Sequence, residues 1–192
     1  MRQTEEFLLI DQVLSGSPDA FRPLIAAYKS LVYQLAYKIL NNREDAEEVA
    51  QDSFLKAYQQ LATFQRQCKF STWLYQITHR LSLNKRKQQQ RNPSYSSSDI
   101  DHQTLPEGES SSTLAQLSAD EQKHYLQVAM AKLSSEDQVL LTLYYLQEQN
   151  MEEIEHITGI GRNLAKVKVH RARQKLQGIL SKLLKTEINE WL

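Results

Sequence analysis

A chain of 192 residues, 41% hydrophobic and 24% charged, has room for one large domain or two small ones in an ordinary globular balance. Five glycines and four prolines are too few for a turn-rich β fold, and a single cysteine, Cys68, excludes an internal disulfide and a cysteine-based zinc site. Net charge is zero, yet 53–98 carries eight basic residues and no acid, and 156–186 repeats that pattern with eight more.

Two cationic stretches in one neutral chain predict two phosphate-contacting surfaces. Cys68 reads as a reduced thiol. No run of 18 apolar residues offers a membrane span. The N-terminus, MRQTEEFLLIDQVLSG, is acidic and amphipathic and lacks the basic start and apolar core of a secretory signal, so a cytoplasmic location without membrane insertion is expected.

The first predicted unit covers 5–91. Phe21, Leu24, Ile25, Tyr28, Leu31, Val32, Leu35, Ala36 and Ile39 recur at three- and four-residue steps, between a start at Ser17-Pro18 and a stop at Asn41-Asn42. A second helix is expected from Asp45 to Ala62, with Ala46, Val49, Ala50, Phe54, Ala57 and Leu61 on one face. A third begins near Ser71 and carries the stripe Phe70, Leu74, Ile77 and Leu81. Residues 92–119, rich in serine and acids, lack the apolar surface to order themselves and read as a flexible linker.

The second unit covers 120–188. A helix near Tyr125–Leu133 precedes Ser134-Ser135-Glu136-Asp137, which can cap a helix over Gln138–Leu146. A short helix, Met151–Thr158, then Gly159-Ile160-Gly161, then a long basic helix from Arg162 into the 180s form the layout of a helix-turn-helix. No strand pattern competes, so the fold class is all-α: two small helical domains joined by a flexible linker.

In the long helix Ala165, Val169, Ala172 and Leu176 should face the core. Arg162, Asn163, Lys166, His170 and Arg173 should then point outward, flanked by Lys168, Arg171 and Lys175. Such a helix can enter a major groove, its first turns reaching base edges and its cations touching phosphates. The plainer reading is a solvated basic face. The lack of any acid at i,i+4 spacing favours the first, since a solvated face normally mixes signs.

Glu44, Asp45, Glu47, Glu48 and Asp52 crowd the start of the second helix. They complement the helix dipole, or they form a docking face for a basic partner; they fan around the helix instead of converging, so no metal ligand set is expected. Next in the chain, Tyr58, Phe64, Phe70, Trp73 and Tyr75 interleave with Arg66, Lys69, Arg80, Lys85, Arg86 and Lys87. Aromatic faces beside cations suit unstacked single-stranded bases. Core packing competes for each ring: Phe70 reads as core, Trp73 equally as core or surface.

NREDAEEVAQDSFLKAYQQLATFQ followed by KFSTWLYQITHR resembles region 2 of the extracytoplasmic-function (ECF) RNA polymerase sigma factors of the sigma-70 family. EEIEHITGIGRNLAKVKVHRARQKL resembles their region 4, ending in His170-Arg171-Ala172-Arg173. The resemblance implies an alternative sigma factor that directs promoter-specific initiation, with no catalytic residue and no cofactor of its own. It implies that Asp45, Glu48, Gln51, Asp52 and Lys56 dock on the clamp helices of the largest subunit of core RNA polymerase. Phe64, Lys69, Trp73, Tyr75, His79, Arg80, Asn84, Lys85, Arg86 and Lys87 would engage the −10 element as duplex and as melted single strand. Arg162, Asn163, Lys166, Lys168, His170, Arg171, Arg173 and Lys175 would read the −35 element. An anti-sigma factor is a further partner that the resemblance suggests.

The sequence departs from the family pattern at Arg80, where an asparagine is common, at Glu155, where a small alanine is usual, and at Gly161, where a serine often caps the reading helix. Ser134 and Gln138 replace a proline and an arginine. Two rival readings are a stand-alone helix-turn-helix regulator and a helical nucleic-acid enzyme using the Glu44–Asp52 carboxylates. The first leaves the acidic helix and the aromatic-basic stretch without a role; the second requires metal-dependent turnover.

Overall fold

The computed structural model describes residues 2–91 and 118–190, with side chains as far as Leu184, and all regular structure among them is helical. The first unit comprises α1 (Gln3–Leu14), a 3-10 turn (Pro18–Phe21), α2 (Arg22–Leu40), α3 (Arg43–Gln59), a second 3-10 turn (Leu61–Thr63) and α4 (Phe70–Arg91). The second comprises α5 (Ala119–Ala131), α6 (Ser135–Leu141), a π-helical turn (Thr142–Leu146), α7 (Met151–Thr158) and α8 (Arg162–Glu190). The expected linker falls outside the described residues as far as 117. Its last two positions belong to the second unit, where the Ser118 hydroxyl accepts from the Glu121 N–H and caps α5.

The α2 stripe buries as its spacing predicts: Leu24, Val32, Leu35, Ala36 and Ile39 are all in the core. Asn41 ends the helix in the left-handed region, which asparagine tolerates better than most residues. Asn42 then starts α3, its side chain accepting from the Asp45 N–H, so the helix begins two residues before the predicted Asp45. It also ends earlier, at Gln59, and Leu61 is buried from the 3-10 turn that follows.

The N-terminal helix closes over this bundle. Glu6, buried on α1, accepts a hydrogen bond from the Tyr28 hydroxyl, and burial beside this carboxylate pushes the Tyr28 phenol far up. Arg66 adopts a left-handed backbone, lies over the ring of Phe7 at 5.2 Å and pairs with Asp11. The loop before α4 is thereby held against α1.

In the second unit Ser134 caps α6 by accepting from the Asp137 N–H, as its sequence implies. The α-helix stops at Leu141 and continues as the π-helical turn, instead of running unbroken to Leu146. Ile154 and Ile157 of α7 pack with Ala165 and Val169 of α8 across the turn at Gly159, whose φ of 76° needs a residue without a Cβ.

The two units share a core. Phe70, Leu74 and Tyr75 of α4 belong to the same buried cluster as Val139, Leu140, Leu143, Ile154 and Ile157. Polar contacts line the same seam. Thr72 donates to Gln149 Oε1 at 3.0 Å, the Tyr75 hydroxyl to Gln147 Oε1 at 3.0 Å, and Gln76 Nε2 to the His156 carbonyl at 2.7 Å.

Candidate nucleic-acid and protein interfaces

The acidic side chains of α3 divide by position. Asp45 accepts from Gln89 Nε2 at 2.6 Å and pairs with Lys85 at 3.4 Å, so it helps hold α4. Glu48 pairs with the same lysine at 2.7 Å, and the hydrogen bond to Glu48 raises the Lys85 ammonium above its ordinary range. Three residues expected in two different interfaces are thus bonded to one another. Gln51, Asp52 and Lys56 remain exposed. Between them stands Leu55, 56% exposed, an apolar centre for that face which sequence reasoning missed. Its signal was position: it lies outside the stripe Val49, Phe54, Ala57 and beside Asp52 and Lys56.

The aromatic-basic stretch is mostly interior. Phe64 is buried, its ring 5.1 Å from that of Trp73 and 5.9 Å from that of Phe70. Tyr75 is 2% exposed, and burial pushes its phenol well up. These two expected base-stacking rings are core residues: Tyr75 because α4 packs against α2, α3 and α7 at once, and Phe64 because its loop lays it against Phe70 and Trp73. Trp73 is half-buried. His79 is half-buried too; burial, and then the neighbouring Arg80 guanidinium, lowers its imidazole below the ordinary 6.5. Lys69 bonds Glu153 of α7 at 2.9 Å. Arg80, Asn84 and Lys87 reach solvent on the outer part of α4, and Arg86 is half-buried. Cys68 is a half-buried free thiol that burial raises further.

The long helix gives the most open surface. At about 100° per residue, burying Ala165, Val169 and Ala172 turns Asn163, Val167, His170 and Gln174 to the opposite side, all four exposed. Arg162, Lys166 and Arg173, expected at the centre, lie along one flank. Lys168, Arg171 and Lys175 lie along the other, with Leu164. The acids missing from 162–186 of the helix come from its neighbours. Arg162 pairs with Glu152 at 2.6 Å and Glu155 at 3.6 Å, Lys168 with Glu136 at 2.7 Å, and Lys175 with the buried Asp137 at 2.7 Å. Lys166, His170, Arg171 and Arg173 extend into solvent. Val167 and Leu164, 45% and 53% exposed, were not among the expected contacts.

Glu155 therefore occupies the usual alanine position by bonding outward to Arg162, between α7 and α8. A Cβ built on Gly161 would meet nothing nearer than Glu155 Oε1 at 3.9 Å, so the glycine is not required by crowding. Among the described residues no group of carboxylates, histidines or thiols could hold a metal ion, and no helix is long and apolar enough to cross a membrane.

The sigma-70 region 2 family model matches residues 24–92 and the sigma-70 region 4 model residues 123–176. The ECF RNA polymerase sigma factor SigW of Bacillus subtilis (strain 168) is 31% identical over 179 residues, covering 88% of this chain and 92% of that protein. Two solved structures share the fold. CnrH, in complex with the cytosolic domain of CnrY, aligns with a TM-score of 0.61 at 22% identity over 91% of this chain and 96% of that one. The sigma factor RpoE from Bartonella quintana, in complex with the anti-sigma factor NepR, aligns with 0.60 at 20% identity over 84% and 96%. With both regions in order and a relative matched along nearly its whole length, the chain belongs to the sigma-70 family of RNA polymerase sigma factors, in its extracytoplasmic-function group.

Proposed function

We propose that this sigma factor seats on core RNA polymerase through the outer face of α3, with Gln51, Asp52, Leu55 and Lys56 as its centre and Glu48 at its edge. An apolar side chain ringed by polar and charged ones has the composition of a protein-docking patch. Trp73, Arg80, Asn84, Arg86 and Lys87 of α4 engage the −10 element and its displaced strand, with Lys69 joining once it leaves Glu153. The outer side of α8 reads the −35 element: Asn163, Val167 and His170 face the groove floor, and Lys166, Arg171 and Arg173 face phosphates. RNA synthesis is left to the polymerase, and the protein works in the cytoplasm.

The observation that carries this reading is the pairing pattern on α8. Its flanking cations nearest the body are neutralised by Glu136, Asp137, Glu152 and Glu155, while those facing outward are left for an anionic partner. A stand-alone regulator would use this helix and leave the α3 face idle. An anti-sigma factor is a fitting regulator, since CnrH and RpoE were each solved with a second protein.

Reconstitution with core polymerase, followed by run-off transcription over a library of the native genome, tests the proposal. A discrete set of start sites is expected. A stoichiometric complex that starts nowhere, or no complex at all, would overturn it.

A further inference from the structure

The apolar side chains on the reading side of α8 are out of place on an otherwise cationic surface. Val167 stands at the middle of the side opposite the core, 45% exposed, and Leu164 lies one turn earlier, 53% exposed. Residues at i and i+3 are neighbours on a helix surface, so the two form one small patch about 5–6 Å across. Asn163 and His170 border it, and Lys166, Lys168 and Arg171 surround it. No acidic side chain occurs between His156 and Thr186.

The surroundings specify the occupant. A protein partner met through Val167 and Leu164 would have to place its own surface against at least three lysines and arginines. Duplex DNA satisfies those cations with phosphates at the rims and offers, on the floor of the major groove, one kind of apolar group: the C5-methyl of thymine. Polar base edges opposite Val167 would lose water without gaining a hydrogen bond, which disfavours them.

On that basis, and resting on the promoter reading above, we propose that Val167 and Leu164 are specificity-determining residues that read thymine methyl groups in the −35 element. Asn163 and His170 supply the adjacent hydrogen bonds. A patch 5–6 Å across spans one to two base steps of about 3.4 Å each, so the selected element carries one or two thymines at neighbouring or next-neighbouring positions facing α8. Arg162 takes no part in base reading, because Glu152 and Glu155 hold it toward α7.

The test uses the full chain assembled with core polymerase. Duplexes are first selected from a library randomised over the −35 window. Each thymine in the selected sequence is then replaced, one at a time, by deoxyuridine, which removes the methyl and leaves every hydrogen-bonding group. At one or two positions binding should fall about three- to fivefold, the cost of one lost methyl contact. Val167→Ala or Leu164→Ala should abolish the sensitivity at its own position while keeping the salt dependence. Both side chains are exposed, so neither substitution opens a cavity. If deoxyuridine is tolerated everywhere, or both variants remain as methyl-sensitive as the parent, the proposal falls while promoter selection stands. If no duplex is selected at all, the −35 reading falls with it.

Discussion

Thr72 on α4 donates a 3.0 Å hydrogen bond to the side-chain carbonyl of Gln149, 77 residues further along, and both residues are buried. Gln149 in turn donates to the Gln147 carbonyl at 2.8 Å. Beside them Glu153 accepts from the Asn150 N–H at 2.8 Å and pairs with Lys69 at 2.9 Å, so one carboxylate caps α7 and fastens it to the residue that precedes α4. Of the residues assigned to melted DNA, Lys69 is thus held by the helix-turn-helix. For Lys69 to meet a strand, its bond to Glu153 of α7 has to open. Thr72→Val keeps the shape and removes the donor, leaving the Gln149 oxygen buried without it. We expect a loss of about 1–2 kcal/mol in urea unfolding, and a wider separation between fluorophores placed at Gln51 and Gln174. An unchanged separation would show that the seam does not depend on this bond.

On α3, the docking face and the scaffold can be separated by mutation. Asp52 and Leu55 are exposed, whereas Asp45 is bonded to Gln89 and Lys85. Asp52→Lys and Leu55→Ala should each weaken core-polymerase binding about tenfold, with unfolding midpoints unchanged. Asp45→Ala should instead lower stability by freeing Gln89 and the end of α4, with Lys85 left to Glu48 alone. Titration of labelled protein with core polymerase, beside thermal unfolding, distinguishes the two classes. Equal affinity for parent and Asp52→Lys would remove α3 from the interface.

How far the sequence spoke for itself depended on the kind of burial. Leu24, Val32, Leu35 and Ile39 bury along one apolar stripe, and periodicity exposes such a stripe directly. Helix α4 buries more than its stripe Phe70, Leu74 and Ile77. Thr72, Thr78 and Ser82 are fully inside, the last two returning their hydroxyls to the carbonyls of Leu74 and Thr78. Small side chains satisfied within their own helix leave no trace in a hydrophobic pattern. With that second buried side unseen, Tyr75 looked free to stack on bases. The acids facing α8 were missed for another reason: Glu136 and Asp137 lie 32 and 38 residues from Lys168 and Lys175, and only the folded turn brings Glu152 to Arg162, so no helical spacing points to these pairs.

His79 should give the protein an acid-sensitive step. Its folded value lies below 6.5, chiefly through burial and then through Arg80. The unfolded chain therefore takes up a proton more readily than the folded one, so stability rises with pH across the interval between the two values. Above about 6.5 the contribution is fully present; as pH falls from there toward the folded value it is progressively lost. His79→Gln should flatten the unfolding free energy over that interval and leave it unchanged at pH 8. A parent curve that is already flat below pH 6.5 would contradict the assignment.

The cations of α8 should likewise separate into two groups. Arg171 and Arg173 are exposed on opposite flanks. Losing either should weaken promoter binding at every sequence alike and reduce the salt slope by about one, as expected when one phosphate contact disappears. Lys175 differs, because its ammonium bonds Asp137, whose side chain is 9% exposed in the first turn of α6. Lys175→Ala leaves that carboxylate without its partner and should cost about 1 kcal/mol of stability, moderated by the solvent that reaches the lysine. Its effect on the salt slope should be small. Binding measured from low to moderate salt, for the three variants assembled with core polymerase, decides the matter. A slope that drops for Lys175→Ala and holds for Arg171→Ala would mean that DNA approaches the helix from the side facing α6, and would invert the orientation assigned to it here.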